Sequence, residues 1–114
     1  MANLLIVDDE RSITELLSIM LTRYGHRVLV ANSLDEAHGA ISIFKFDVIV
    51  TDFHLSNLER GTELYSYGIP LILMSGGISE EELARYSGKF DLFVPKPFTP
   101  IEIKYAIEVF LDIS

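Results

Sequence analysis

Cysteine is absent from this sequence of 114 residues, and long apolar runs are absent as well. Without cysteine the chain can form no disulfide framework and carry out no thiolate chemistry, which agrees with a reducing compartment. The longest unbroken apolar run covers residues 69–74, whereas a helix that spans a bilayer needs roughly 20 residues. The first residues also lack the cationic segment of a secretion signal. We therefore predict a cytoplasmic protein that does not enter the membrane.

Basic residues are few, because nine lysines and arginines stand against 17 aspartates and glutamates, which gives a formal net charge of -8. This balance opposes direct binding to nucleic acid, since domains that bind it normally carry a basic stripe that releases counterions from the phosphates. The length fits one domain, residues 1–114, and 49% hydrophobic residues are enough for a core on both sides of a sheet.

Five short apolar runs alternate with helical patterns along the chain. They cover residues 4–7, 27–31, 47–51, 70–74 and 91–95, and most are too apolar for half-exposed strands. Parallel crossovers are almost always right-handed and place helices on both faces of a sheet. The predicted fold is therefore α/β, a doubly wound five-stranded parallel sheet in a three-layer sandwich, with the flavodoxin-like strand order 2-1-3-4-5.

Sequence patterns typical of helices lie between these strands and after the last one. Capping-box patterns open helices at Ser33, Ser79 and Thr99, the first of them reaching about residue 43 and the second ending at Gly88. Residues 61–67 allow only a short third helix. Apolar residues at helical spacing predict the buried face of the first helix, over residues 12–24, namely Ile13, Leu16, Leu17, Met20 and Tyr24.

Polar side chains follow four of the five predicted strands. Asp8 and Asp9 follow the first strand, Asp52 the third, Ser75 the fourth and Lys96 the fifth. The carboxyl ends of parallel strands meet at one edge of the sheet, so these side chains are predicted to share one crevice. Packed carboxylates raise one another's pKa values unless a cation intervenes, which predicts a divalent metal ion. The set is typical of a site that handles phosphate.

With these features the sequence resembles the receiver domains of bacterial two-component response regulators, of the chemotaxis-regulator superfamily, which accept a phosphoryl group from a histidine kinase. The resemblance spans essentially the whole chain. It rests on five motifs, each at the strand end or helix start where the family has it, and the five together are far more specific than any one of them. The motifs are Val7-Asp8-Asp9-Glu10, Asp52, Gly61-x-Glu63-Leu64, Met74-Ser75-Gly76 and Lys96-Pro97-Phe98.

The resemblance implies that Asp52 is the nucleophile whose carboxylate forms an aspartyl phosphate. Lys96, beside a cis peptide bond to Pro97, would neutralise the equatorial oxygens of the transferred group together with a metal ion. Ser75 would donate its hydroxyl to a phosphate oxygen. The protein would then act as a signalling phosphoacceptor that assists its own phosphorylation and dephosphorylation, and not as an enzyme with a separate substrate.

The same resemblance implies Mg²⁺, a hard cation that prefers oxygen ligands and keeps several waters. Asp9 would bind the ion directly and Asp8 through a water molecule. Asp52 and the backbone carbonyl of His54 would complete the protein ligands.

Signalling would follow from a shift between two conformations. Ser75, drawn toward the phosphate, and Phe93, three residues before Lys96, resemble the switch residues of the family. An aromatic residue on a strand of the sheet is, however, also an ordinary core residue. The surface remade would comprise the fourth helix, the fifth strand and the fifth helix. A sensor histidine kinase or phosphotransfer protein would supply the phosphoryl group, and a downstream target, an output domain or a second copy in a phosphorylation-dependent homodimer would bind that surface.

The sequence also departs from the family pattern, and other functions compete. Leu55-Ser56 stands where the family often has Met-Pro, and the segment between Asp52 and residue 69 is short. A Mg²⁺-dependent hydrolase of the haloacid dehalogenase type would need a second acid two residues after the nucleophile, where His54 stands. A flavin or nucleotide binder would need a glycine-rich loop after the first strand. A degenerate receiver that serves only as an interaction module would lack site residues, whereas all five positions are filled.

Overall fold

A computed structural model of the chain describes residues 1–56 and 59–111. The last three residues of the predicted domain, 112–114, lie outside the described residues. The sheet contains five parallel strands in the spatial order β2-β1-β3-β4-β5, as predicted. The strands are β1 Asn3–Val7, β2 Arg27–Ala31, β3 Val48–Asp52, β4 Leu71–Ser75 and β5 Leu92–Pro95.

Helices connect each strand to the next, and a fourth α-helix follows β5. Ser33 and Ser79 cap α2 and α3 by accepting hydrogen bonds from the backbone N–H groups of Glu36 and Glu82, and each bond is 3.1 Å long. The bounds are α1 Arg11–Arg23, α2 Leu34–Ile43, a 3₁₀ helix Gly61–Tyr67, α3 Glu80–Arg85 and α4 Pro100–Phe110. The predicted short third helix is thus a 3₁₀ helix, and the predicted fourth and fifth helices are α3 and α4.

The core lies on both faces of the sheet, because alternate residues of each strand point to opposite sides. Leu4 and Ile6 pack with residues of α1 and α4 on one face. Leu5 and Val7 pack with α2 and with Leu64 of the 3₁₀ helix on the other face. This confirms the three-layer sandwich.

Two details of the helices differ from the prediction. Leu16 and Tyr24 are about half exposed, whereas the buried residues of α1 are Thr14, Leu17 and Leu21. Spacings of three and four residues define one helical stripe, and Leu16 lies about 100° around the helix from Leu17. The second difference is that α3 ends at Arg85, since the backbone turns from Tyr86 onward.

No helix among the described residues is long and apolar enough to cross a bilayer.

Candidate functional site: an acidic cluster with one lysine

The three aspartates lie at or just after the carboxyl ends of two neighbouring strands of the sheet. β1 and β3 pair in parallel with Val7 opposite Thr51, so Asp8 and Asp52 stand side by side where the strands end. Asp8 is fully buried and Asp52 is 7% exposed, whereas Asp9 is exposed. One carboxylate oxygen from each of the three lies within 4.8 Å of the others. The structure therefore brings together the three carboxylates that the sequence assigned to one crevice.

Lys96 closes this cluster from the side of β5. Its Nζ lies 3.2 Å from Oδ2 of Asp8 and 3.5 Å from Oδ1 of Asp52, and its side chain is only 17% exposed. Its backbone N–H donates a hydrogen bond of 2.9 Å to the carbonyl of Ser75, which joins the ends of β4 and β5. The peptide bond between Lys96 and Pro97 is cis, as predicted. The ammonium group is thus held against two buried carboxylates.

The electrostatics of the cluster follow from burial and from its charges. Burial raises the pKa of Asp52 from 3.8 to about 6, and the charge of Asp8 adds to the shift while Lys96 opposes it. Burial also raises the pKa of Asp8, against the hydrogen bond from the Glu10 N–H and the charge of Lys96. Burial alone would lower the pKa of Lys96, but Asp52 and Asp8 outweigh it and raise that pKa. Three carboxylates and one ammonium leave the cluster short of positive charge.

Ser75 is the last residue of β4 and is buried. Its hydroxyl oxygen accepts a hydrogen bond of 3.3 Å from the N–H of Gly77, so the hydroxyl proton can be donated elsewhere. His54, whose backbone carbonyl was assigned to the metal ion, forms an isolated antiparallel bridge with Arg60 just beyond β3. Phe93 is half-buried on β5 opposite Leu73, with its ring 6.4 Å from that of Phe90. The roles of these three residues stay predictions.

Two further contacts at the site were not predicted from the sequence. Ser56 donates a hydrogen bond of 2.8 Å from Oγ to Oδ2 of Asp9, across the gap between the loops after β3 and β1. Gly61 begins the 3₁₀ helix so close to β3 that a Cβ there would lie 2.1 Å from the carbonyl oxygen of Asp52. The departure from Met-Pro at Leu55-Ser56 was the only signal for the first contact, and glycine in the Gly61 motif was the only one for the second.

A further contact joins the site to α3. The ring of Phe53, the fully buried residue after Asp52, stands edge-on to Tyr86 at the end of α3, with 4.8 Å between centroids. The guanidinium of Arg60 lies 5.2 Å from the same ring. The end of β3 is therefore packed directly against the end of α3.

Fold and site together define a doubly wound α/β domain with an acidic, oxygen-rich cluster at the carboxyl edge of its sheet. The family model for the response regulator receiver domain matches residues 4–108. The chain therefore belongs to the receiver domain family of two-component response regulators, a family of signalling domains. This confirms the resemblance, and it favours the receiver over the hydrolase and the inert interaction module.

Individual relatives agree with this assignment. The chain is 31% identical to the transcriptional regulatory protein YvrH of Bacillus subtilis and 33% identical to the transcriptional regulatory protein KdpE of Staphylococcus aureus. These alignments cover 96% and 95% of the chain and 49% of each relative, so the chain spans about half the length of both. Among solved structures, the chemotaxis response regulator CheY4 of Vibrio cholerae matches with a TM-score of 0.86 at 25% identity, over 97% of this chain and 99% of that one.

Proposed function

We propose that Asp52 accepts a phosphoryl group from a phosphohistidine of a sensor histidine kinase or of a phosphotransfer protein. An oxygen of the Asp52 carboxylate attacks phosphorus, the phosphorus–nitrogen bond breaks, and the imidazole leaves with its electron pair and takes up a proton. The observation that carries the proposal is the position of Lys96 Nζ, within 3.5 Å of Asp52 and of its buried neighbour Asp8. Phosphoryl transfer depends mainly on such positioning and neutralisation.

The donor set supports Mg²⁺ as the cofactor. Three carboxylates within 4.8 Å of one another are hard oxygen ligands, and at least one position of a small octahedral ion would remain for water or phosphate. Asp8, Asp9 and Asp52, with the carbonyl of His54, are the residues proposed to hold the ion. When bound, Mg²⁺ would neutralise charge on the transferred oxygens.

Ser75 and Lys96 are proposed to hold the phosphoryl group once it is on Asp52. The Ser75 hydroxyl has a proton to donate, and Lys96 already faces Asp52. A bound water that reaches the same phosphorus would return Asp52 to its starting state, so the domain would also assist its own dephosphorylation.

The switch surface is proposed to be α3, β5 and α4. Ser75 and Phe93 are its proposed switch residues, and the contact of Phe53 with Tyr86 gives α3 a direct link to the acceptor strand. The outer face of α4 carries an exposed apolar stripe at spacings of four residues, which suits a protein partner, formed by Ile101, Tyr105 and Val109. The partner would be a downstream protein, an output domain or a second copy in the phosphorylated state.

The relatives named as transcriptional regulatory proteins suggest that the output is control of transcription. With a net charge of -8, this domain is not proposed to contact nucleic acid itself. Residues 1–114 are proposed to form one receiver domain that works in the cytoplasm.

The test is incubation of the protein with Mg²⁺ and a small phosphodonor, followed by intact mass measurement. The expected result is a gain of one phosphoryl group that is lost in Asp52→Asn and kept in Asp35→Asn, which changes an exposed aspartate on α2. Absence of the gain in the unaltered protein would contradict the proposal. Continuous release of phosphate with no adduct on Asp52 would instead favour a hydrolase.

A further inference from the structure

The hydrogen bond from Ser56 to Asp9 lies at the rim of the acidic cluster. Asp8 and Asp52 are buried and fixed by packing, whereas Asp9 is exposed and its carboxylate has little packing to orient it. Ser56 Oγ donates to Oδ2 of Asp9 over 2.8 Å, and the two residues are 47 positions apart in the chain. The bond therefore ties the loop after β3 to the loop after β1.

The backbone of Leu55 and Ser56 is held by contacts of its own. Leu55 is buried in the core on the α2 side of the sheet, and its N–H donates to the carbonyl of Glu59. The carbonyl of Ser56 accepts a hydrogen bond from the N–H of Glu59. The hydroxyl thus belongs to a residue whose backbone is tied to Glu59 and whose neighbour Leu55 is buried, which lets it act as a fixed donor toward Asp9.

We propose that Ser56 is a positioning residue, whose hydroxyl holds the Asp9 carboxylate toward Asp8 and Asp52 and so pre-organises the cation site. The inference rests on the proposed function, because it assumes that this cluster binds Mg²⁺. It also concerns a position at which this chain departs from the Met-Pro of its family, and proline has no side-chain donor.

The chemistry of the donor matters as much as its position. A hydroxyl is neutral, so it orients the carboxylate without cancelling the negative charge that attracts the cation. A carboxylate has about four lone-pair sites, so one hydrogen bond leaves the other oxygen free to bind a metal ion. Groups that orient a metal ligand in this way typically change metal affinity about 10–100-fold. Because Asp9 is exposed to water, we expect an effect at or below the bottom of this range, a loss of Mg²⁺ affinity of about 3- to 10-fold in Ser56→Ala.

The test is calorimetric titration of the full chain with MgCl₂ for the unaltered protein, Ser56→Ala and Ser56→Thr. The expected result is weaker Mg²⁺ binding in Ser56→Ala and near-normal binding in Ser56→Thr, which keeps the hydroxyl. Ser66→Ala is the matched control, since it removes an exposed hydroxyl that bonds to the carbonyl of Glu63 away from the cluster. The free energy of unfolding, measured by urea denaturation in EDTA, should be the same for all variants. A merely structural role of Ser56 would instead change this stability and leave the Mg²⁺ affinity unchanged.

A double-mutant cycle shows whether Ser56 acts through Asp9. On an Asp9→Ala background, which removes the acceptor of the Ser56 hydrogen bond, Ser56→Ala should cause little further loss of Mg²⁺ affinity. Normal affinity in Ser56→Ala, or an equal loss on both backgrounds, would overturn the inference while leaving the proposed function intact. If the unaltered protein binds no Mg²⁺ at all, both this inference and the metal site of the proposed function are wrong.

Discussion

Asp52→Asn should stabilise the metal-free protein at neutral pH, although it removes the proposed acceptor. The pKa of Asp52 is raised from 3.8 to about 6 in the folded state, so its ionised form is disfavoured there relative to the unfolded chain. About two pKa units correspond to about 3 kcal/mol at most. The buried amide of the asparagine makes poorer hydrogen bonds in this site than the carboxylate does, which offsets part of this stabilisation. We therefore expect about 1–3 kcal/mol of added stability at pH 7.

The pH dependence of this effect has a definite sign. For an acid with a raised folded-state pKa, the folded state binds the proton more tightly than the unfolded state. The penalty is therefore absent below pH 3.8, grows as pH rises toward 6, and is complete above pH 6. The advantage of Asp52→Asn should be largest at pH 7–8 and should disappear near pH 4.

Urea unfolding followed by circular dichroism, in EDTA and at one-unit steps from pH 4 to pH 8, measures the difference. Asp35→Asn serves as the control for loss of one exposed carboxylate. Adding Mg²⁺ should reduce the difference in unfolding free energy between Asp52→Asn and the unaltered protein. A ligand that binds only the folded state stabilises it, and the intact cluster should bind the ion more tightly than the variant does. A variant that is no more stable than the unaltered protein at pH 7, or one whose advantage persists at pH 4, would refute the electrostatic reasoning.

Two further predictions concern groups around Asp52. Gly61→Ala should destabilise the fold by about 1–3 kcal/mol or more, since its Cβ would lie 2.1 Å from a backbone oxygen that cannot move aside. In the control Gly39→Ala the new Cβ meets nothing within 4 Å, so this change should be neutral or stabilising. Thermal unfolding of both variants checks this prediction, and equal effects would count against it. Lys96→Met should cost about 1–3 kcal/mol at pH 7 and less at pH 4, where Asp52, with its pKa raised to about 6, is mostly protonated. A loss that does not depend on pH would show that Lys96 acts through packing alone.

The fold was predictable from sequence because its signals are local and repeated. Each strand is a short apolar run, and the helix starts at Ser33 and Ser79 use side chains that bond to backbone three residues ahead. The doubly wound arrangement followed from the handedness of crossovers, which is a rule for the whole class of folds, whereas the order 2-1-3-4-5 was a choice between the two common doubly wound orders. The buried face of α1 was less predictable, since Leu16 and Leu17 are equally apolar and only contact with the sheet decides which one is buried.

The site was predictable where topology alone fixes it. Asp8, Asp52, Ser75 and Lys96 each lie at or directly after the carboxyl end of a strand, so parallel pairing brings them together whatever the loops do. Ser56 could not be found in this way, because it lies four residues beyond β3 and its contact with Asp9 depends on the path of a loop. The contact of Phe53 with Tyr86 depends likewise on how α3 packs.

The electrostatics of the metal-free cluster bear on how phosphorylation would act. Buried carboxylates beside a single ammonium cost folding free energy, and binding of the proposed cation would recover that cost, so affinity for Mg²⁺ and instability without it would have one cause. Phosphorylation would replace the single charge of Asp52 with a phosphoryl group of nearly two charges. The added charge should draw Lys96 and the Ser75 hydroxyl toward it, and because Lys96 is hydrogen-bonded to the Ser75 carbonyl, the ends of β4 and β5 should move together. The loop before α3 follows β4 directly, so we expect the conformational response to begin there.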